Sequence, residues 1–281
     1  MSEAPILNMA DFEPQDLALE DIDVSQRSIW TEDKKMAFFD RLRDEAPVHY
    51  CKDSEFGPYW SVTRFKDIME IDNNWQDFSS EPAITIVEPE EDFPLPMFIA
   101  MDPPVHDEQR KTVQGSVAPA NLKLMEDTIR KRTQKVLDDL PVGEQFDWVD
   151  RVSIELTTQM LATLFDFPFE DRRKLTRWSD VATGDEESGI VESEEARQAE
   201  LYECLEYFTR LWHERAERGE SNDLVSMLAH GDATKDMTPQ EYLGNLILLI
   251  VGGNDTTRNS MTGGVWALNQ NPGEYAKLRN N

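Results

Sequence analysis

Residues 238–272 read TPQEYLGNLILLIVGGNDTTRNSMTGGVWALNQNP, and this stretch decides the fold. Thr238, Pro239 and Glu241 supply a hydroxyl N-cap, a proline in the first turn and a glutamate three residues after the cap, the pattern of a capping box. The pattern predicts a helix that continues until Asn271-Pro272 disfavours helical backbone. Because Leu246 to Val251 is apolar on nearly every side, the helix is expected to run through the interior. Gly252-Gly253-Asn254-Asp255-Thr256-Thr257 then breaks the local rules. Each glycine costs about 1 kcal/mol relative to alanine, and a buried carboxylate is expensive unless paired. A helix that opens at the two glycines, with the Thr256 hydroxyl one turn after Gly252, can free carbonyls and form a groove for a small polar ligand. A Gly-Gly helix crossing is the alternative reading of the same pair.

A second motif lies far upstream. Met101-Asp102-Pro103-Pro104-Val105-His106 reads as a helix start, with Asp102 as N-cap and Pro103 at the first position. Arg110 follows His106 by one helical turn, so the two share a face. Such a pair offers donors for carboxylates, the arginine bidentately, although a solvated helix face would look the same.

Outward from these motifs, the pattern is mainly helical. Helices are expected over 102–116, 119–140, 147–166, 169–183, 194–218, 221–229, 238–269 and 272–279, with no internal repeat and no linker. Upstream, EDKKMAFFDRLRDEA places Met36, Phe39 and Leu42 at helical spacing, VHYC and YWSVTRF alternate as strands around the turn KDSEFGP, and FKDIMEIDNNW reads as a further helix. Ser79 to Pro96 is expected to be a long loop in which Ile84, Ile86, Val87, Phe93 and Leu95 either line an apolar site or pin the loop to the core. Residues 1–30 look like an extended acidic arm, either packed on the surface or mobile, and 31–281 like one domain.

Charge and cysteines narrow the function. The chain has 56 acidic and 28 basic side chains, a formal charge of −28 that argues against a nucleic-acid or anionic-membrane partner. Cys51 and Cys204 stand in no metal-ligand or disulfide spacing, and His49, His106, His213 and His230 are dispersed, so a metal would need ligands from elsewhere or a cofactor. No apolar run is long enough to span a bilayer and the N-terminus has no secretory pattern, so a cytoplasmic location is expected.

Gly252-Gly253-Asn254-Asp255-Thr256 resembles the oxygen-activation motif of the cytochrome P-450 family, [Ala/Gly]-Gly-x-[Asp/Glu]-Thr, at all five positions. Asp102-Pro103-Pro104-x-His106-x-x-x-Arg110 is similar to the segment with which bacterial members hold a haem propionate. The likeness extends to PVHY…GPYWSVTRFKDIM and NDLVSML, nearly the whole chain after residue 30. It implies the cytochrome P-450 fold, a helical domain with a small N-terminal β-sheet, and haem b as cofactor. His106, Arg110, Gly252 and Gly253 would contact the haem, Thr256 would hold the hydrogen bonds around dioxygen, and Asp255 would relay protons. Within the family the GGNDTTRNSMTGGVWAL and MFIAMDPPVHDEQRK segments resemble bacterial alkane terminal hydroxylases, which implies a medium-chain alkane or fatty acid substrate and electrons from a ferredoxin and its reductase. Leu248 and Val251, with Ile86, Phe93 and Leu95, would then face the substrate, core packing being the alternative for each. Seven basic side chains against two acids in residues 110–135 would suit an acidic ferredoxin, though a solvated helix explains them equally well.

The family's next parts, a Glu-x-x-Arg helix and the Phe-x-x-Gly-x-x-x-Cys-x-Gly loop, do not occur before residue 281. The cysteine ligand of the iron is therefore expected beyond residue 281, the chain to be a partial sequence of roughly three-fifths of the enzyme, and the piece alone to be inactive. Two other readings compete. Asn222-Asp223-Leu224-Val225-Ser226 resembles the start of a metal motif of class I terpene synthases, but His230 stands where its glutamate belongs and no Asp-Asp-x-x-Asp cluster exists. A helical interaction protein without cofactor is the third.

Overall fold

The structure is a computed structural model that describes residues 7–88 and 92–280. The chain divides into two compact units, Met1–Pro89 and Glu90–Asn281, so the division falls well after the boundary expected at residue 30.

In the first unit, helices α1 (Arg27–Thr31) and α2 (Lys35–Glu45) precede strands β1 (Val48–Cys51) and β2 (Tyr59–Val62), and α3 (Phe65–Asn73) follows. The strands form an antiparallel hairpin with Val48 opposite Val62 and Cys51 opposite Tyr59. Residues 7–24 are not a loose arm. Met9, Leu17, Ile22 and Val24 are buried with Ile29, Phe38 and Leu42 in a small core of their own. Cations of α2 fasten this segment: Arg41 donates to the Leu17 carbonyl at 2.8 Å, and Lys34 donates to the carbonyl of Ala10. The face of α2 turned to this core is set by Phe38 and Leu42, one turn apart, whereas Met36 is exposed, which corrects the expected Met36/Phe39/Leu42 stripe.

The second unit is helical. Its elements are α4 (Val105–Gln114), α5 (Pro119–Asp138), a π-helical turn Val149–Ile154 running into α6 (Glu155–Phe165), α7 (Arg173–Thr183), α8 (Glu194–Ala216), α9 (Leu224–His230), α10 (Pro239–Gln270) and α11 (Pro272–Asn280). These agree with the expected helices to within a few residues, except that the π turn was not foreseen and that α4 starts at Val105 with Pro104 at the cap position, so Asp102 is not the N-cap and Pro103 not the first helical residue. The capping box forms: the Glu241 amide donates to Thr238 Oγ1, and the Thr238 amide donates to Glu241 Oε2 at 2.8 Å.

Helix α10 is the axis of this unit, packed by α6, α7 and α8. Leu246 and Ile250 are fully buried in a core shared with Leu161, Leu175, Leu201 and Phe208, where each such side chain contributes roughly 1.5–3 kcal/mol. Burial is confined to the first half of the helix: past Ile250 only Asn254 is buried, and Trp266 is 67 % exposed. The expectation of an interior helix therefore holds for 242–250 but not for 255–270, where α7 and the π turn meet the helix on one side, through Asp255, Arg258 and Thr262, and none of the residues is buried.

Tyr242 offers a test of this packing. Its hydroxyl donates to the Phe208 carbonyl at 3.2 Å, and burial pushes its pKa well above the ordinary tyrosine value. The unfolded chain loses this proton first, so the contribution is complete below about pH 10 and is lost as pH rises above it. Tyr242→Phe should cost about 1 kcal/mol at neutral pH and flatten the alkaline loss of stability, measured by denaturant unfolding across pH; an unchanged alkaline slope would reject this role.

Candidate haem and oxygen site

The motif glycines of α10 have different surroundings. A Cβ on Gly253 would lie 2.7 Å from Leu161 Cδ1, so this position admits the close crossing of α6. A Cβ on Gly252 would meet nothing within 4 Å, and Gly252 and Thr256 are both exposed on one face. The helix-crossing reading therefore suits Gly253, while Gly252 leaves a bare strip of backbone. The helix does not open there: α10 is continuous from Pro239 to Gln270, and the Thr256 hydroxyl donates to the Gly252 carbonyl at 2.8 Å. The groove expected from freed carbonyls is thus filled by threonine's own hydroxyl, an ordinary back-bond to the preceding turn.

Asp255 turns toward α7. Its Oδ1 accepts from Arg258 Nη2 at 2.7 Å, Ser179 Oγ at 3.1 Å and Asn254 Nδ2 at 3.3 Å, and Arg258 also reaches Asp180 at 3.0 Å. Among the described residues, Asp255 Oδ2 has no partner. Asn254, fully buried, accepts from Thr157 Oγ1 at 3.1 Å and so joins α6 to the same corner. An acid inside an apolar helix is tolerated here because charge and hydrogen bonds meet it from α7 and from its own next turn.

On α4 the Nδ1 of His106 donates to the Phe98 carbonyl at 2.8 Å, which orients the ring and leaves Nε2 without a partner among the described residues. Arg110, one turn on, is exposed, and its guanidinium likewise has no partner among the described residues. One buried side chain joins these motifs. Asn245, fully buried in α10, accepts from the Phe98 amide at 3.0 Å and donates to Gln109 Oε1 at 3.3 Å and to the Glu241 carbonyl at 2.9 Å. The loop that positions His106 and the helix that carries it are thereby both tied to α10. Sequence reasoning missed Asn245, although a lone amide inside LGNLILLI was the available signal.

Of the residues expected to face a substrate, Phe93 is buried and meets Tyr202 edge-on at 5.2 Å, while Leu95, Leu248 and Val251 are half-buried against the same core. Ile86 belongs to the first unit and is 42 % exposed, so the structure does not place it with the others. Both cysteines are buried, and burial pushes the Cys204 thiol well up.

No family model matches the chain. Among curated proteins it is 29 % identical over 269 residues to linalool 8-monooxygenase of Pseudomonas putida, covering 92 % of this chain and 66 % of that protein. It is 31 % identical over 248 residues to steroid C26-monooxygenase of Mycolicibacterium smegmatis, covering 83 % and 57 %. The chain thus spans less than two thirds of the length of these relatives. Among solved structures it superposes on a cytochrome P-450 of family 153 from Novosphingobium aromaticivorans with a TM-score of 0.83 and 46 % identity, covering 92 % and 66 % of the two chains. A second of family 153, from Sphingomonas sp. PAMC 26605, gives 0.84 and 46 %, covering 94 % and 67 %. The chain belongs to the cytochrome P-450 family. Haem b is the cofactor of that family, and the terpene-synthase and cofactor-free readings are not favoured.

The residues present fit haem. A bare helix strip at Gly252 admits a flat group close to the backbone, and the unpaired guanidinium of Arg110, with the free ring edge of His106 one turn before it, suits a carboxylate of that group. Among the described residues no helix is long and apolar enough to cross a membrane.

Proposed function

We propose that this chain forms the oxygen- and substrate-handling side of a monooxygenase that inserts one atom of O2 into an unactivated C–H bond. The observation that carries the reading is the exposed Gly252/Thr256 face of α10, joined through Asn245 to a helix bearing the unpaired His106 and Arg110. Haem, when bound, supplies the redox chemistry that activates dioxygen.

The chain's own residues then have separable tasks. Arg110 binds a propionate as a bidentate donor, and His106 adds an Nε2–H donor when its ring carries both protons. Gly252 keeps the approach to α10 clear. Thr256, by rotating its hydroxyl away from the Gly252 carbonyl, donates a hydrogen bond into the site, and Asp255 Oδ2 takes a proton from solvent and passes it inward while Oδ1 stays clamped by Arg258 and Ser179. Phe93, Leu95, Leu248 and Val251 offer an apolar lining that suits a medium-chain alkane or fatty acid, hydroxylated at its terminal carbon. The resemblance of the GGNDTTRNSMTGGVWAL and MFIAMDPPVHDEQRK segments to alkane terminal hydroxylases supports that substrate class.

Electrons would come from a ferredoxin served by its reductase. Lys111, Lys123 and Lys131 support a docking role for the basic segment; of the other cations there, Arg110 is given to the propionate, Arg130 is paired with Glu126, Lys135 with Asp139, and Arg132 is turned inward to the Gln159 carbonyl. Such a surface would speed encounter with an acidic partner. A cytoplasmic location fits this partnership.

The test is to express the chain together with everything its gene encodes downstream, reduce the protein and add carbon monoxide. A Soret band at the red-shifted position of thiolate-ligated haem is expected, and its absence rejects the proposal. In that protein Thr256→Ala should lower product formed per O2 consumed by at least about tenfold while oxygen consumption continues; an unchanged ratio would reject the role given to the hydroxyl.

A further inference from the structure

A concavity of about 550 Å³ lies between the end of α5, the π-helical turn and the start of α7, and no residue of α10 lines it. It is basic on a chain of charge −28. Arg132 and Lys135 reach it from α5, Arg151 from the π turn, and Arg172 and Arg173 from the start of α7. Three carboxylates nearby are already engaged. Asp139 holds Lys135 at 2.8 Å, Glu155 holds Arg172 at 2.8 Å and Arg173 at 2.9 Å, and Asp150 holds Arg173 at 2.9 Å.

Two guanidinium groups are left over. Arg132 donates only to the Gln159 carbonyl at 2.6 Å, the Thr163 hydroxyl and the Met160 sulfur, all neutral, and stands 5.6 Å from the Phe169 ring centroid. Burial pushes its pKa down, as it does for a cation held out of water without a counter-charge. Arg151 donates only to the Asp139 carbonyl at 3.5 Å. Arg172 stacks on the same Phe169 ring at 4.4 Å, which fixes the wall of the pocket beside its ion pair with Glu155.

We propose that this pocket binds a small molecule carrying a di- or triphosphate. Two guanidinium forks without carboxylate partners suit the many oxygens of a polyphosphate better than a single carboxylate. The volume is that of a small-molecule site and exceeds what one inorganic phosphate fills. Neither haem nor the apolar substrate proposed above bears phosphate, so this is a separate site. Its occupant would pin α5, α6 and α7 together, and α7 carries Ser179 and Asp180 of the Asp255 cluster.

The probe is inorganic tripolyphosphate, titrated calorimetrically into the full chain at fixed ionic strength, with sulfate and orthophosphate in parallel. Saturable binding of one tripolyphosphate per chain is expected, weakened at least about tenfold by Arg151→Gln and by Arg132→Gln, and unchanged by Arg130→Gln, whose charge is paired with Glu126. Arg151 is exposed, so its variant tests the site even if loss of the Arg132 contacts impairs folding. The proposal is overturned by the absence of saturable binding, by sulfate binding as tightly as tripolyphosphate, or by an equal loss in Arg130→Gln.

Discussion

Gly244→Ala should destabilise the protein by about 3 kcal/mol, at the upper end of the cost of overpacking a well-filled site. A Cβ at this position would lie 2.1 Å from the Pro96 carbonyl oxygen and 2.8 Å from its carbon, so the obstruction is backbone and cannot be relieved by a rotamer change. The strand of loop that must retreat leads directly into Phe98, whose amide is held by Asn245 and whose carbonyl orients His106. For a chain of this size the change corresponds to a fall of roughly 6–12 °C in the thermal midpoint. Gly263→Ala is the control on the same helix: nothing lies within 4 Å of the added methyl, so it should be neutral or gain up to about 1 kcal/mol from helix propensity. Equal midpoints for the two variants would show that the loop does not press on α10 at Gly244.

Asn245→Leu should cost about 2–4 kcal/mol, since it strands a buried backbone amide at Phe98 and the side chain of Gln109. The apolar replacement gains burial, but that gain does not offset two unsatisfied polar groups. A second readout separates this from simple loss of packing. In the haem-loaded protein the variant should lose haem faster than Leu246→Ala of similar destabilisation, because only Asn245 is bonded to the loop that holds His106. Matching rates of haem loss would reduce Asn245 to a core amide with no part in positioning the site.

Local signals account for what was legible. The capping box and Asn271-Pro272 bound α10 within a residue, because caps and proline act over one turn and need no tertiary partner. The β1–β2 hairpin is similarly local, with alternating strands closed by a short turn. Phe38 displaced Met36 on the buried face of α2 because the arm residues Met9, Leu17 and Ile22 pack there, and a contact with residues so distant leaves no trace in the periodicity of α2 itself. The π-helical turn at Val149–Ile154 was likewise invisible, since its residues have the composition of an ordinary helix.

In the site, residue identity carried the chemistry and the fold assigned the geometry. Gly252-Gly253-Asn254-Asp255-Thr256 and the His106/Arg110 pair stood out because glycines and an acid inside an apolar helix, and a His/Arg pair one turn apart after a proline-rich helix start, break or exploit local rules. The division of labour between the glycines came only from tertiary structure, where Leu161 presses on one and nothing meets the other. The same holds for Asp255, whose clamp is built from Ser179 and Arg258, and for Asn245, whose partners lie on a loop and a helix more than a hundred residues upstream. A sequence by itself determines helix limits, charge and the inventory of donors and acceptors, because these depend on neighbours along the chain. Which donor meets which acceptor, and which face of α10 stays bare, depends on how helices cross, and that was decided only when the core closed.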